Sequence, residues 1–484
     1  MKIEQILSKK AIVEIIGTSS TTINDITFDS RQVKKGSCFI AMRGTQADGH
    51  QYIGKAVELG ASVIVCEELP EKTEKGVTYI KVKDSSEQLG YMASAFYGNP
   101  SEKLKLVGIT GTNGKTTTVT LLYRLFNKLG FKSGLLSTVV NFIGDEEIKS
   151  THTTPDAIQL NQLLARMVEA GCTHCFMEVS SHSVVQHRIT GLKFAGAIFS
   201  NITHDHLDYH KTFDEYLKAK KRFFDLLPSE AFALINIDDK NGRVMVQNTN
   251  AKVSTYSLRS MANFKCKVIE NHFDGMLLNL DSVEVWTRLV GGFNAYNLLA
   301  IYSAARLLGV EKDIILTELS NMTPVSGRFE HMKSPKGINV VVDYAHTPDA
   351  LQNVIDTINE IRTEEYKLIT VVGAGGNRDK TKRPIMAKVA VEGSNMVILT
   401  SDNPRFEEPE DILNDMKVGV EPSMVGKVLT IVDRREAIRT AYMLANQGDI
   451  ILVAGKGHEN YQEIKGVKHH FDDKEVIQEI FKTL

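Results

Sequence analysis

The chain has 484 residues, about three times an ordinary domain, so roughly two to four domains with ample core are expected. A formal net charge of −2 excludes a general nucleic-acid binder or a membrane-surface protein, while leaving room for local basic pockets. No stretch reaches the ~20 apolar residues of a spanning helix, the first residues lack the apolar core of a signal peptide, and the five scattered cysteines suit reduced thiols. A soluble cytoplasmic protein is the expectation.

Three blocks follow one another. Residues 1–100 hold short apolar strands, expected at Cys38–Arg43, Ser62–Cys66 and Thr78–Val82, and a helix near Tyr52–Leu59, before Gly98-Asn99-Pro100 reads as a linker. Residues 101–325 carry expected strands at 104–110, 174–179, 195–202 and 232–237, and Thr323-Pro324-Val325-Ser326-Gly327 marks the second boundary. Residues 326–484 carry expected strands at 338–343, 367–373, 396–401 and 449–454. Alternation of strand and helix predicts parallel sheets with helices on both faces. The fold class is α/β in three domains: a central P-loop-type parallel-sheet domain, a small N-terminal α/β domain and a C-terminal Rossmann-like domain.

The densest chemical signal is Gly111-Thr112-Asn113-Gly114-Lys115-Thr116-Thr117, between an apolar strand and a helix with Val119, Leu122, Leu125, Phe126 and Leu129 on one face. Its glycines permit a tight loop whose N–H groups aim at phosphate oxygens. The helix N-terminus and Lys115 add positive charge, and the Thr116 hydroxyl suits a magnesium ion. The strict P-loop pattern places glycine six residues before the lysine, where this chain has Ile109.

Sites in parallel sheets gather at the carboxyl ends of strands. Glu178, an acid closing an apolar strand, is costly there unless it meets a cation, so a second magnesium ligand is the natural reading. Asn201 to His210 holds His204, Asp205, His206, Asp208 and His210, a cluster also compatible with a zinc hydrolase, although H-x-H-x-D-H spacing is not met. Cys172 and Cys175 form a single C-x-x-C pair at the entrance to a buried strand, where packing is the simpler role. The 216–224 segment reads only as the basic face of an amphipathic helix.

In order, Gly-Thr-Asn-Gly-Lys-Thr-Thr, Glu-Val-Ser-Ser-His, Asp-His-Leu-Asp-Tyr-His, Gly-Phe-Asn-Ala-Tyr-Asn, Gly-Arg-Phe-Glu and Asp-Tyr-Ala-His-Thr-Pro-Asp-Ala-Leu span essentially the whole chain. This series resembles the Mur ligase family, ATP-dependent amide-bond-forming ligases of peptidoglycan precursor synthesis. Asp29-Ser30-Arg31, Gly44 to Gly49, Thr153-Thr154-Pro155 and Asp402-Asn403-Pro404-Arg405 are similar to the marks of members that add the third peptide residue.

The resemblance implies that 1–100 binds a UDP-muramoyl substrate, 101–325 binds ATP and 326–484 binds the incoming amino acid. It implies that Gly111, Thr112, Asn113, Gly114, Lys115, Thr116 and Thr117 hold ATP phosphates, with Asn294, Asn297, Arg328 and Asp343 completing the nucleotide site. Thr116, Glu178 and His206 are the implied magnesium ligands, and Lys115, Lys220 and His206 the implied catalytic set. Lys220 is similar to a lysine that becomes a carbamate. Ser30, Thr45, Gln46 and Ala47 are implied for the uridine nucleotide. Thr153, Thr154, Ser180, Gln186 and Arg188 are implied for the muramoyl-dipeptide, with His152 standing where some relatives carry Asn.

Arg405 decides the implied amino acid. A guanidinium grips a carboxylate through parallel hydrogen bonds, and meso-diaminopimelate carries a distal carboxylate where lysine carries only an ammonium. Arg378, Asp402, Asn403, Pro404, Gly455 and Glu459 are implied companions, with Arg383 a second candidate cation. The implied reaction joins meso-diaminopimelate to UDP-N-acetylmuramoyl-L-alanyl-D-glutamate through an acyl phosphate, in a chain expected to act as a monomer without nucleic-acid or membrane partners. Lysine addition is the rival within the family. A folate-polyglutamate type ligase should lack the early motifs, and a P-loop ATPase motor or regulator leaves the late motifs unexplained, as a UDP-sugar binding protein leaves Lys115 and the metal cluster.

Overall fold

The computed structural model describes residues 1–484 except 9, 10, 45, 46, 151, 204, 206 and 484, and the side chains of 207 and 208 are likewise outside the description. Three mixed sheets succeed one another. The first has five strands in the order Ile12–Ile16, Thr78–Val82, Val63–Cys66, Ser37–Ile40, Asp25–Thr27, parallel except for the antiparallel first pair. The second has eleven strands centred on Lys105–Thr110, which lies between His174–Glu178 and Gly196–Phe199. The third has six, with Asn339–Asp343, Ile450–Ala454, Leu368–Val372 and Met396–Leu399 adjacent and parallel.

Central strands are buried along almost their whole length because both faces are covered. Val107 and Ile109 pack with Leu122, Leu125 and Phe126 on one face, while Leu106 packs with Leu164, Phe223 and Phe224 on the other. The third sheet repeats this with Val341 and Leu368 facing Leu351 and Ile355, and Val340 and Ile369 facing Ile438 and Ile477. The parallel segments expected from sequence are present within one to three residues at each end.

The sheets are not purely parallel, however. The central sheet is extended by the antiparallel strands Phe264–His272, Gly275–Leu280 and Val283–Thr287 at one edge, and by Val140–Ile143 and Glu146–Lys149 at the other. Along Val283–Thr287 buried and exposed residues alternate because one face meets solvent.

One buried ion pair braces the third sheet. Arg434 and Asp473 are fully buried, joined by two 2.7 Å hydrogen bonds, and Arg434 also donates to the Ala454 carbonyl at 3.1 Å, where the strand ends. Removing one partner strands the other charge in a dry interior, at a cost of about 3–5 kcal/mol. Asp473→Ala is therefore expected to lower the first thermal unfolding midpoint of the full chain by several degrees, as calorimetry will show. An unchanged midpoint would mean that the arginine finds water.

Candidate active site

The strand Lys105–Thr110 delivers the phosphate loop to the crevice between its two neighbours. A Cβ at Gly111 would lie 1.9 Å from Ser200 Oγ, and one at Gly114, whose φ is +87°, would lie 2.4 Å from Asn297 Oδ1. Both positions therefore require glycine. Gly114 opens the helix Lys115–Lys128 with no side-chain cap, so the N–H groups of the first turn stay available to an anion. The Asn113 N–H donates to Asn201 Oδ1 at 2.9 Å, and Ser200 Oγ donates to the Asn113 carbonyl at 2.7 Å. Asn297 in turn donates to Asn294 Oδ1, which places both asparagines beside the loop. Thr117 is buried in the first turn.

Two lysines converge on this loop. Lys115 Nζ donates to the Gly111 and Thr112 carbonyls at 2.9 and 2.8 Å, and Lys220 Nζ donates to the same Gly111 carbonyl at 2.9 Å. Lys220 is 2% exposed on the helix Phe213–Asp225, which Thr212 caps, and its amine lies 4.6 Å from the Tyr216 ring centre. Burial first, then the neighbouring Lys115 charge, drives its pKa well below the ordinary lysine value, with Asp205 opposing. Burial also lowers Lys115, opposed by Glu178 and Asp205.

Glu178 Oε1 accepts from Thr116 Oγ1 at 3.0 Å and from the Thr138 N–H at 2.8 Å. Thr116 and Glu178 are hard oxygen donors side by side, the chemistry magnesium requires. The third predicted ligand, His206, lies outside the described residues, as do Thr45 and Gln46. Among the described residues no group of three His, Cys, Asp or Glu side chains is arranged to hold a metal, so neither Cys172–Cys175 nor the described part of the 201–210 cluster forms a zinc site. Both cysteines are buried, and burial raises each thiol.

The dipeptide-side residues form a chain of contacts. Thr138 Oγ1 bonds Thr153 Oγ1 at 3.1 Å, Thr154 Oγ1 donates to the Glu178 carbonyl at 2.9 Å, and Ser180 caps the helix Ser181–Val185. Arg188 donates to Gln186 Oε1 and to the Thr154 carbonyl. His152 is exposed, and its carbonyl accepts from Ser150. In the first sheet's unit Ser30 is buried and Ala47 exposed.

The third sheet reaches the loop through two contacts that sequence reasoning missed in part. Arg328 Nη2 donates to Thr116 Oγ1 at 3.2 Å, and Asn113 Nδ2 donates to Asp349 Oδ2 at 2.6 Å. Asp349 sits in the quoted Asp-Tyr-Ala-His-Thr-Pro-Asp run, so the signal was present but had no assigned partner. Asp343 accepts from the Phe329 N–H at 2.7 Å.

Adjacent strand ends then bring the late motifs together. Asn403 Nδ2 donates to Glu459 Oε2 at 2.8 Å, and the fully buried Lys456 lies 3.3 Å from the same oxygen. A Cβ on Gly455 would fall 2.6 Å from Asp402 Oδ2. Burial and the Asp402 charge raise the Glu459 pKa, and Lys456 opposes them. Arg405 donates to the Gly376 carbonyl at 2.8 Å and pairs with Glu463 at 3.5 Å. Arg383 is excluded as its helper: it is 0% exposed and spent on Glu407 and Asp415, holding Glu407 down to about 2. Arg378 is exposed. Lys456 stands between the implied Gly455 and Glu459 but was not singled out.

Three family models match in succession: the Mur ligase family catalytic domain over residues 22–97, the Mur ligase middle domain over 109–305, and the Mur ligase glutamate ligase domain over 327–457. This chain belongs to the Mur ligase family. The UDP-N-acetylmuramoyl-L-alanyl-D-glutamate–2,6-diaminopimelate ligases of Phocaeicola vulgatus and Bacteroides fragilis are each 60% identical to it over 481 residues, covering 99% of this chain and of theirs. The corresponding ligase of Clostridioides difficile is 41% identical over 491 residues, covering 100% of both chains. A solved structure of such a diaminopimelate ligase aligns with a TM-score of 0.70 at 33% identity, covering 97% of each chain. The MurF ligase from Thermotoga maritima in complex with ADP shares the fold at 19% identity, with a TM-score of 0.62 and coverage of 96% and 97%. The chain is thus a ligase of this family.

Asp343 supplies a pH test. Burial outweighs the Arg328 charge and the backbone hydrogen bonds, raising its pKa from 3.8 to about 6. Ionisation is therefore opposed by the fold: the cost is absent below pH ~4 and complete above pH ~6, on the order of 3 kcal/mol. Asp343→Asn keeps an acceptor for Phe329 and removes that cost. Its thermal midpoint should gain on wild type as pH rises from 4 to 7, whereas parallel curves would contradict the assignment.

Proposed function

We propose that this Mur ligase joins meso-diaminopimelate to the γ-carboxylate of the D-glutamyl end of UDP-N-acetylmuramoyl-L-alanyl-D-glutamate, using ATP, in peptidoglycan precursor synthesis. The observation that carries the reading is Arg405, three residues beyond Asp402 in the segment whose Asn403 bonds Glu459, in a chain 60% identical to ligases named for that reaction. The proposed division of labour is 1–100 for the UDP-muramoyl substrate, 101–325 for ATP and 326–484 for the amino acid. Ser30, Thr45, Gln46 and Ala47 take the uridine end, and Thr153, Thr154, Ser180, Gln186 and Arg188 take the muramoyl-dipeptide.

The loop Gly111–Thr117, with Asn294, Asn297, Arg328 and Asp343, holds ATP so that the substrate carboxylate oxygen attacks its γ-phosphorus and ADP leaves. Lys115, swung from its two loop carbonyls, offsets charge on the transferring phosphoryl group. Thr116, Glu178 and His206 are proposed to hold magnesium, which when bound neutralises phosphate charge. The amine held by Arg378, Asp402 to Arg405, Gly455 and Glu459 then attacks the acyl carbon. The tetrahedral adduct expels phosphate, and the nitrogen gives up its proton.

Lys220 is proposed to act as a carbamate. Its buried nitrogen, once it has given up a proton, bonds to the carbon of carbon dioxide and releases a second proton, replacing a destabilised cation with an anion that Lys115 attracts. Because one chain contributes every group, a monomer suffices. The reaction is placed in the cytoplasm, where ATP and nucleotide-linked sugars are available.

The deciding experiment measures phosphate release and product mass with UDP-N-acetylmuramoyl-L-alanyl-D-glutamate, ATP and magnesium, adding either meso-diaminopimelate or L-lysine. Turnover with diaminopimelate alone is expected. Turnover with lysine would keep the family chemistry and overturn the specificity, and phosphate release with neither would overturn the substrate assignment. Separately, Lys220→Met should lose roughly 100-fold or more in kcat and lack the carbamate NMR signal that wild type shows in isotopically labelled bicarbonate. Wild-type protein without that signal would reject the carbamate.

A further inference from the structure

Arg405 has a backbone that nothing in its own sequence explains. Its φ is +53°, in the left-handed region that an arginine enters only when its surroundings compel it. The compelling element is a small hairpin formed by Tyr461–Ile464 and Val467–His470, turned through Lys465 and Gly466, both at positive φ. The Arg405 N–H donates to the Glu463 carbonyl at 2.9 Å, and the Lys465 N–H returns to the Arg405 carbonyl at 2.6 Å. Gln462 Nε2 donates to the Asp402 carbonyl at 2.7 Å, and the Glu463 N–H donates to Asn403 Oδ1 at 2.9 Å. Lys456 anchors the base by donating to the Tyr461 carbonyl.

The hairpin also reaches the Arg405 side chain. Glu463 Oε2 lies 3.5 Å from Nε, an ion pair too long to consume a donor, while Nη1 is spent on the Gly376 carbonyl at 2.8 Å. Nη2 has no hydrogen-bond partner among the described residues. A guanidinium held at two corners by a carbonyl and a carboxylate presents its third corner in one direction.

We infer that the 461–470 hairpin is a clasp on the amino-acid pocket and that Glu463 is a positioning residue for Arg405, orienting the guanidinium toward the distal carboxylate of the incoming amino acid. The inference rests on the diaminopimelate reading. It also makes a prediction of definite sign. If Glu463 were only a nearby anion competing with the substrate carboxylate, removing its charge would tighten binding. A positioning role predicts the reverse.

The test compares wild type, Glu463→Gln, Arg405→Lys and the double variant as full-length proteins, measuring KM for diaminopimelate, KM for ATP and kcat. Glu463→Gln should raise KM for diaminopimelate roughly fivefold, the scale of a half-exposed ion pair, and leave KM for ATP unchanged. In the Arg405→Lys background the same change should have less than about a twofold effect, because the group being positioned is gone. An unchanged or lowered KM for diaminopimelate in Glu463→Gln overturns the inference, as does an equal rise in both KM values, which would mark a general structural role. Equal effects in the two backgrounds overturn it too. Wild type that fails to turn over diaminopimelate overturns the reading beneath it, and that arm is read first.

Discussion

One carbonyl oxygen organises the centre of this molecule. The Gly111 carbonyl receives both the Lys115 and the Lys220 amines, at 2.9 Å each, inside a crevice closed by three strands. Two ammonium groups on one acceptor repel, and the more buried of them bears most of the cost. Lys220 therefore sits where its charged form is least favoured, while Lys115 is offset by Glu178 and Asp205. The arrangement depends on Gly111 being glycine, since Ser200 occupies the space a side chain would need. Burial and the neighbouring charge thus separate two chemically ordinary lysines, lowering the Lys220 pKa well below the usual value.

The same loop is also hydrogen-bonded to the third sheet's unit. Thr116 is shared between Glu178 of the central sheet and Arg328 of the third, and Asn113 binds both Asn201 and Asp349. These are short polar contacts, not a dry apolar interface. The first sheet is joined differently: Gly90 and Gly191 bring backbones into contact, and Ser94 Oγ donates to the Gly191 carbonyl at 3.0 Å. Such close backbone packing suits a fixed platform.

Much of this was legible in the sequence because buried parallel strands announce themselves. Segments such as Met396–Leu399 and Ile450–Ala454 are apolar at every position, and the loops after them carry the late motifs. The antiparallel edges were not legible. Phe264–His272 alternates Lys, Cys, Lys, Val like many exposed segments, and its partners are chosen by the sheet edge it completes. At the candidate site, residue types and order could be read, but not commitment. Arg383 and Arg405 are indistinguishable as letters in neighbouring segments. Only the fold shows that the first is consumed by Glu407 and Asp415 while the second keeps a free corner. Lys456 and Glu463 were invisible for the converse reason: their roles are defined by what they hold, and those partners are 53 and 58 residues away in sequence.

That distinction bears on how one pocket tells two amino acids apart. Gly455 lies against Asp402, and burial and the Asp402 charge raise the Glu459 pKa while Lys456 opposes them. Lys456 lies 3.3 Å from Glu459 and Arg405 pairs with Glu463 at 3.5 Å, so on the proposed reading the pocket sets a carboxylate beside a guanidinium with an open corner. A ligand end carrying both an ammonium and a carboxylate cancels both. An end carrying an ammonium alone cancels only the first and leaves a guanidinium beside a like charge in a partly desolvated pocket, where Coulomb repulsion is weakly screened. Selectivity in such a pocket comes less from the strength of one Arg–carboxylate contact than from the absence of any arrangement in which the wrong ligand balances the charges.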